Sequence, residues 1–339
     1  MMDDNLLSIQ NLRVYFKGKE NLIKAVDGID LEIKKQEILC IVGESGSGKS
    51  VTSLSVMGLV PTQGYIESGN IKLMDQDLTT IAEKELSNIR GNEISMIFQE
   101  PMTSLNPVLS IGDQMSEVLL RHRKITKKGA LKKTVEMLEY IGFSRTEEIL
   151  KSYPHELSGG MRQRIMIGMA LLCEPKLIIA DEPTTALDVT IQAQVLDLMK
   201  KMRNEFSTSI MMITHDLGVV AEMADQVAVM YGGQIVERVC ADKLFEDPKH
   251  PYSKALIKSV PVIESENQTL YSIPGTVPSA DNFPKGCRFA DRCELAQASC
   301  FEKMPDLREF EEGHYIRCDV VNNVRRDIDE GSFARSKGG

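Results

Sequence analysis

No stretch of about 18 uncharged apolar residues occurs in the 339-residue chain, so no transmembrane helix is expected. A basic leader is also missing. The opening Met1-Met2-Asp3-Asp4-Asn5 is acidic where a secretory signal would be basic, and the expectation is a protein made and kept in the cytosol. Positive charge is in deficit: the net charge of −9 carries no electrostatic footprint for nucleic acid, and no nucleic-acid partner is expected. Aromatics make up 5% of the residues, and no heptad run suggests a coiled coil. The length fits two domains, or one large domain with an appendage. Cysteine is present seven times, but never as a C-x2-C knuckle, which argues against a standard zinc ribbon.

What is present is organised around one stretch, Gly43-Glu44-Ser45-Gly46-Ser47-Gly48-Lys49-Ser50, with the G-x-x-x-x-G-K-[ST] spacing of a phosphate-binding loop. Glycines let successive backbone N–H groups curl around an anion at a helix N-terminus. Lys49 brings a point charge to the β- and γ-phosphates, and the Ser50 hydroxyl is a hard oxygen ligand for Mg2+. Ile38 to Val42 ahead of the loop is a continuous apolar run, as in a strand buried on both faces of a parallel sheet. Val51 to Leu59 behind it has helical apolar spacing.

Around this centre, Leu12, Val14 and Phe16 alternate, as do Ile29, Leu31 and Ile33, predicting an antiparallel layer over residues 7–35. Tyr15 or Phe16 could stack on a base or could pack in the core. Ile66 to Leu73 is a further strand candidate, and Ile94 to Phe98 is a short strand ending at Gln99. The Gln99 amide could reach Mg2+ or an attacking water, or be merely solvated. Residues 104–172 turn helical, with one stripe at Ile111, Met115, Val118 and Leu119 and another at Leu131, Val135, Leu138 and Ile141. Lys127, Lys128, Lys132 and Lys133 fit the solvated face of that second helix. The segment closes on Leu157-Ser158-Gly159-Gly160-Met161-Arg162-Gln163-Arg164, a glycine loop at a helix N-terminus and a second candidate anion site. An ordinary N-cap is the alternative.

Leu177 to Ala180 is an apolar strand tipped by Asp181 and Glu182. Asp181 can hold Mg2+ through water, and Glu182 can polarise a water for attack on the γ-phosphate. Asp188 follows in a turn. Ile210 to Ile213 is another apolar strand, tipped by Thr214, His215 and Asp216, and His215 could contact the γ-phosphate or be structural. Val227 to Met230 reads as a last core strand.

These motifs, in this order and spacing, make the chain similar to the nucleotide-binding subunits of ABC transporters over about residues 7–260. It most resembles the oligopeptide/dipeptide importers, through Gln99 to Pro107, Met161 to Arg164 and His250-Pro251-Tyr252 ahead of a cysteine-bearing tail. The resemblance implies an α/β fold: a RecA-like P-loop core, an antiparallel β subdomain, a helical subdomain inserted at about 104–172, and a small C-terminal extension. Domain limits of 7–260 and 261–325 are expected, with 326–339 a disordered tail.

The resemblance also implies site roles. Phe16 would stack on adenine. Gly43, Glu44, Ser45, Gly46, Ser47, Gly48, Lys49, Ser50 and Val51 would surround the phosphates of ATP. Ser50, Gln99 and Asp181 would face Mg2+. Glu182 would be the general base, His215 a γ-phosphate contact, and Gln99 a sensor facing the membrane subunit. Ser158, Gly159, Gly160 and Asp188 belong to the nucleotide set, with Ser158 and Gly160 contacting ATP held by the opposite subunit. Met161 departs from the family's usual Gln and removes an amide donor. Implied partners are two multi-span permease subunits, a second ABC ATPase (a second copy or a paralogue, the subgroup's habit favouring the paralogue) and, indirectly, an extracytoplasmic peptide-binding protein. The place of work would be the cytoplasmic face of the membrane, peripherally. A soluble ABC ATPase acting on nucleic acid or ribosomes is the competing reading, disfavoured by the single P-loop and the acidic total. Import of nickel, glutathione or another small solute is the other.

Cys40, Cys173 and Cys240 sit singly and read as reduced core residues. Cys287, Cys293, Cys300 and Cys318 all fall in the last 53 residues, with gaps of 5, 6 and 17. Cytosolic disulfides are not expected. Four thiolates could make a tetrahedral site for zinc or a [4Fe–4S] cluster, or the cysteines could simply be reduced. Some members of the family that the tail resembles carry an iron–sulfur cluster.

Overall fold

The computed structural model describes residues 4–19, 21–100, 104–185, 187–260 and 271–323. The expected disordered tail at 326–339 lies outside them. The first strands are β1 (Asn5–Lys17), β2 (Leu22–Lys34), β3 (Ile38–Val42), β4 (Gly64–Leu73), β5 (Gln76–Asp77) and β6 (Ile94–Ile97). They are followed by β7 (Leu177–Asp181), β8 (Ser209–Ile213), β9 (Gln226–Tyr231), β10 (Gln234–Cys240), β11 (Arg308–Glu311) and β12 (His314–Ile316). Two sheets form. One is four-stranded, in the order β2-β1-β4-β5, with antiparallel pairing throughout. The other is eight-stranded, in the order β11-β12-β10-β9-β3-β8-β7-β6.

The larger sheet is parallel through β9-β3-β8-β7-β6 and antiparallel beyond β9. Its centre explains the unbroken apolar runs. Every residue of β3, β7 and β8 is buried. Successive side chains point to opposite faces. Ile38, Cys40 and Val42 enter the core beneath the helices, whereas Leu39 and Ile41 enter the core shared with the four-stranded sheet. All the parallel strands run toward one edge, where β3 ends at the glycine loop, β7 at Glu182 and β8 at Thr214. Ligands of open α/β sheets collect at that edge.

Between β6 and β7 lie the helices Ile111–His122, Lys127–Tyr140, Thr146–Lys151 and Gly159–Leu171. Three of them start on side-chain caps: Ser110 Oγ accepts from Asp113 N at 3.2 Å, Thr126 from Gly129 N at 3.2 Å, and Ser158 from Met161 N at 3.3 Å. The first apolar stripe packs inward. The second differs from expectation: Leu131 is 44% exposed, and the buried face is Ala130, Thr134, Met137, Leu138 and Ile141. A small residue and a threonine oppose the neighbouring helix there, and Thr134 satisfies its hydroxyl on Ala130 O at 3.0 Å. Leu138 and Ile141 of the expected stripe are buried, so size and hydropathy misplace only its first half, at Leu131 and the half-buried Val135. The four lysines are exposed, as a solvated face requires.

The extension does not stand apart. The β11–β12 hairpin continues the large sheet through β10, pairing Glu237 with Ile316 and Arg238 with Tyr315. At this seam Glu237 and His314 are both fully buried and 2.6 Å apart. The Glu237 carboxylate also accepts Lys249 N at 2.7 Å and His250 N at 2.9 Å. These bonds offset the cost of burying a charge.

Candidate functional site: a nucleotide cleft

At the strand edge lies a cleft of about 470 Å³. Its lining includes Phe16, the run Ser45 to Val51, Gln99, Glu182 and His215, drawn from five separate segments. The glycine loop has two steric requirements. A Cβ at Gly43 would stand 2.0 Å from Met230 O, and one at Gly48 2.3 Å from Ala25 O, so both positions are closed to any side chain. Lys49 opens the helix Lys49–Val56 and is buried, with Nζ donating to Gly43 O at 2.7 Å and Glu44 O at 3.0 Å. Burial lowers its pKa, while Glu182, Asp181 and Glu44 pull it back up.

Ser50 Oγ donates to Asp181 Oδ1 at 3.2 Å, which brings together the hydroxyl and the carboxylate expected to face Mg2+. Burial raises the Asp181 pKa, and a bound cation would favour its ionised form. Ser47 is buried with its hydroxyl unpartnered, an orphan donor within the cradle. These residues fit a phosphate and its magnesium.

Glu182 is held from three sides. Gln99 Nε2 and Thr185 Oγ1 each donate to Oε2 at 2.9 Å, and His215 Nδ1 lies 3.1 Å from Oε1. Burial pushes its pKa up, but the hydrogen bonds of Thr185 and His215 and the charges of His215 and Lys49 outweigh that and hold it below the ordinary glutamate range. Glu182 is therefore ionised and aimed. Its φ of +48° is left-handed for a non-glycine residue, a departure of the kind that collects at functional sites.

Phe16 lies against Gly64, where a Cβ would come within 2.6 Å of its ring, and it lines the cleft. Tyr15 instead is a core residue whose hydroxyl donates to Asp27 Oδ1 at 2.8 Å. Ser158, Gly159, Gly160 and Asp188 do not line this cleft. Ser158 and Gly159 are exposed at the start of the helix Gly159–Leu171, and Asp188 caps the helix Val189–Phe206 by accepting from Ile191 N at 3.0 Å. Met161 packs its side chain against the core instead of offering a polar group.

Sequence reasoning missed Thr185, although it lies three residues past Glu182 and a hydroxyl there was legible. It also missed Ala280 and Arg292 of the extension, for which no local pattern exists. Ala280 lines the cleft, and its carbonyl accepts Lys24 N at 3.0 Å.

The four late cysteines are drawn around one small space of about 20 Å³, walled also by Phe289, Leu295 and Val320. Burial pushes the Cys287 thiol up to about 11 and raises Cys293 and Cys318. Among the described residues no group of three or more His, Cys, Asp or Glu side chains stands in an arrangement that would hold a metal ion. The expected zinc or [4Fe–4S] ligand set is thus not formed by the side chains as they lie. Burial in this apolar wall favours the neutral thiol at Cys287, Cys293 and Cys318.

A parallel sheet edge carrying a lysine cradle, a serine–aspartate pair and an ionised glutamate held by Gln99 and His215 defines an ATPase of the P-loop class. The description "ABC transporter" matches residues 26–185, and "Oligopeptide/dipeptide transporter, C-terminal region" matches residues 236–300. The chain is 58% identical to the oligopeptide transport ATP-binding protein AppD of Bacillus subtilis over 92% of its own length and 96% of that protein's. It is 48% identical to the dipeptide transport ATP-binding protein DppD of the same organism, over 93% and 94%. Among solved structures, a dimeric ATP-binding cassette bound to ADP and phosphate after hydrolysis matches with a TM-score of 0.62 at 26% identity, covering 69% of this chain and 98% of that one. CbiO1 of Clostridium perfringens matches with the same TM-score at 25% identity, over 72% and 92%. The chain belongs to the ATP-binding proteins of the oligopeptide/dipeptide ABC transporter family.

Proposed function

We propose that this chain is the ATP-hydrolysing subunit that energises import of dipeptides or oligopeptides through separate membrane permeases. The observation that carries this reading is the convergence of Lys49, Ser50 and the Glu182–Gln99–His215 group on one cleft, with Asp181 hydrogen-bonded to Ser50 beside it. Lys49 and the loop amides bind the phosphates. Ser50 and Asp181 would hold magnesium, which would supply positive charge against the phosphates. Glu182 accepts the proton of a water positioned by Gln99, and His215 orients the carboxylate.

The exposed Ser158 and Gly159, absent from their own cleft, suit contact with ATP on a second ATPase, so that ATP joins two subunits and hydrolysis parts them. Among the described residues no helix is long and apolar enough to cross a membrane, which supports a permease on separate chains. The helical subdomain and the loop from Glu100 to Val108 are its docking surface, and a groove of about 330 Å³ lined by Leu59, Met96, Phe98, Ser104, Val118 and Met169 supports this. Residues 101–103 of that loop lie outside the described set. The work then takes place peripherally at the cytoplasmic face, with the ATPase region at 7–260 and the extension at 261–325.

The test is to isolate the chain with its membrane partners in vesicles. A multi-span permease should come down with it, and peptide delivered by a binding protein should stimulate ATP hydrolysis. No permease, or stimulation by nickel or glutathione and not by peptide, would replace this reading. A metal or cluster at the four cysteines is a second reading, supported by their gathering around one space. Side-chain rotation would be required first. Iron, sulfide and zinc counted on anaerobically purified chain decide it: about four iron and four sulfide, or one zinc, would support it, and none would leave reduced thiols.

A further inference from the structure

Glu44, second residue of the phosphate loop, has every polar group engaged. Its carbonyl accepts Lys49 Nζ, and its amide donates to Tyr252 Oη at 2.9 Å. Its carboxylate is gripped by Arg292 of the extension, Nη1 to Oε2 at 2.7 Å and Nη2 to Oε1 at 3.0 Å, a two-bonded fork spanning 248 residues of sequence. Arg292 is only 8% exposed. Its Nε donates to Pro274 O at 2.7 Å, and Nη1 also reaches Tyr231 Oη at 3.3 Å. Tyr231, Tyr252 and Phe289 pack ring against ring around it, with centroids 4.6–5.3 Å apart. The extension therefore reaches the nucleotide site twice, at Ala280 on the rim and through Arg292 behind the loop.

We propose that Arg292 is a positioning residue for ATP: it fixes the phosphate loop through Glu44 and neutralises a carboxylate that would otherwise repel the phosphates. The inference rests on reading Gly43–Ser50 as the ATP site. A loop with four glycine or serine positions between Glu44 and Lys49 loses much backbone freedom on ordering, and the fork supplies part of that order before ATP arrives. Two consequences separate positioning from mere support of the fold. Removing Arg292 leaves Glu44 charged and unpaired beside the phosphates, so removing that charge as well should restore part of the loss. A tie elsewhere between extension and body should not affect ATP at all. Such a tie is Lys243 Nζ to Glu311 Oε1, at 2.6 Å.

The experiment measures ATP affinity, KM and kcat on the full chain for Arg292→Ala, Arg292→Lys, Glu44→Gln, Arg292→Ala with Glu44→Gln, Lys243→Met and Lys49→Ala. Arg292→Ala should weaken ATP binding and raise KM about tenfold, with kcat at saturation within about threefold of the parent. Arg292→Lys should be intermediate, because an ammonium cannot reproduce the fork. The double variant should bind ATP better than Arg292→Ala alone, and Lys243→Met should bind like the parent. If Arg292→Ala does not fold, Arg292→Lys and Glu44→Gln carry the same comparison. An unchanged KM in the Arg292 variants, or an equal rise in Lys243→Met, overturns the inference while the ATP site stands. Undiminished ATP binding in Lys49→Ala overturns the site reading and the inference with it.

Discussion

At the scale of single residues, the site is a contest between burial and hydrogen bonding. Glu182 and Asp181 are neighbours in sequence, yet burial wins at Asp181, whose pKa is raised, and hydrogen bonds win at Glu182, whose pKa is lowered. A strand tip that turns left-handed between them sends the two carboxylates to different partners. Residue types at the strand tips were enough to nominate both, because a buried strand ending in carboxylates has few other uses beside a phosphate loop. The left-handed turn and the Thr185 bond were not legible, since nothing in composition specifies φ at a glutamate. Because the Glu182 pKa is depressed, its protonation should not limit hydrolysis as pH falls from 8 to 5. A pH profile of kcat should show no acid limb assignable to Glu182 in that window. Lys49→Met should weaken ATP binding by tenfold or more, on the order of a charge-assisted hydrogen bond, measured by titration with a fluorescent nucleotide.

At the scale of elements, β3 and β7 were readable because they are buried on both faces and carry no polar residue before their tips. Ile41 shows the consequence: it sits in β3 with no exposure and contributes to the core between the two sheets. Ile41→Ala should cost about 2–5 kcal/mol of stability by urea unfolding, the range for deleting a large aliphatic side chain from a packed core. The second inserted helix was harder to phase, because its inward face uses Ala130 and Thr134 where a hydropathy stripe looks for leucine. Gly43 and Gly48 were legible as motif positions. Their reasons, carbonyls of Met230 and Ala25 pressed against them, come from segments remote in sequence.

At the scale of the whole molecule, the sequence suggested an appendage and the structure has a graft. β12 extends the main sheet, and Arg288 of the extension shares the Asp27 carboxylate with Arg13 of the antiparallel sheet. Pairings across more than 200 residues leave no local pattern, which is why the cysteines drew attention and the arginines did not. Burial pushes the Asp27 pKa up, but Tyr15, Arg288 and Arg13 outweigh it and hold it below the ordinary carboxylate value. A depressed folded pKa contributes stability that is fully present above the unfolded value, about 3.9, and is lost as pH falls through the folded one. Asp27→Asn should therefore cost about 3–5 kcal/mol near neutral pH, since it leaves a buried arginine without its carboxylate. The cost should shrink below about pH 4, followed by thermal unfolding across pH.

The most direct test of the central claim pairs hydrolysis with assembly in Glu182→Gln. The account predicts that phosphate release falls about a hundredfold or more, the contribution of a positioned general base. It also predicts that ATP with Mg2+ now drives the variant into a stable two-ATPase complex, seen as a mass shift in light scattering with its ATPase partner present. Hydrolysis by Glu182→Gln at the parent rate would contradict the assignment of the base, and with it the mechanism read from this cleft.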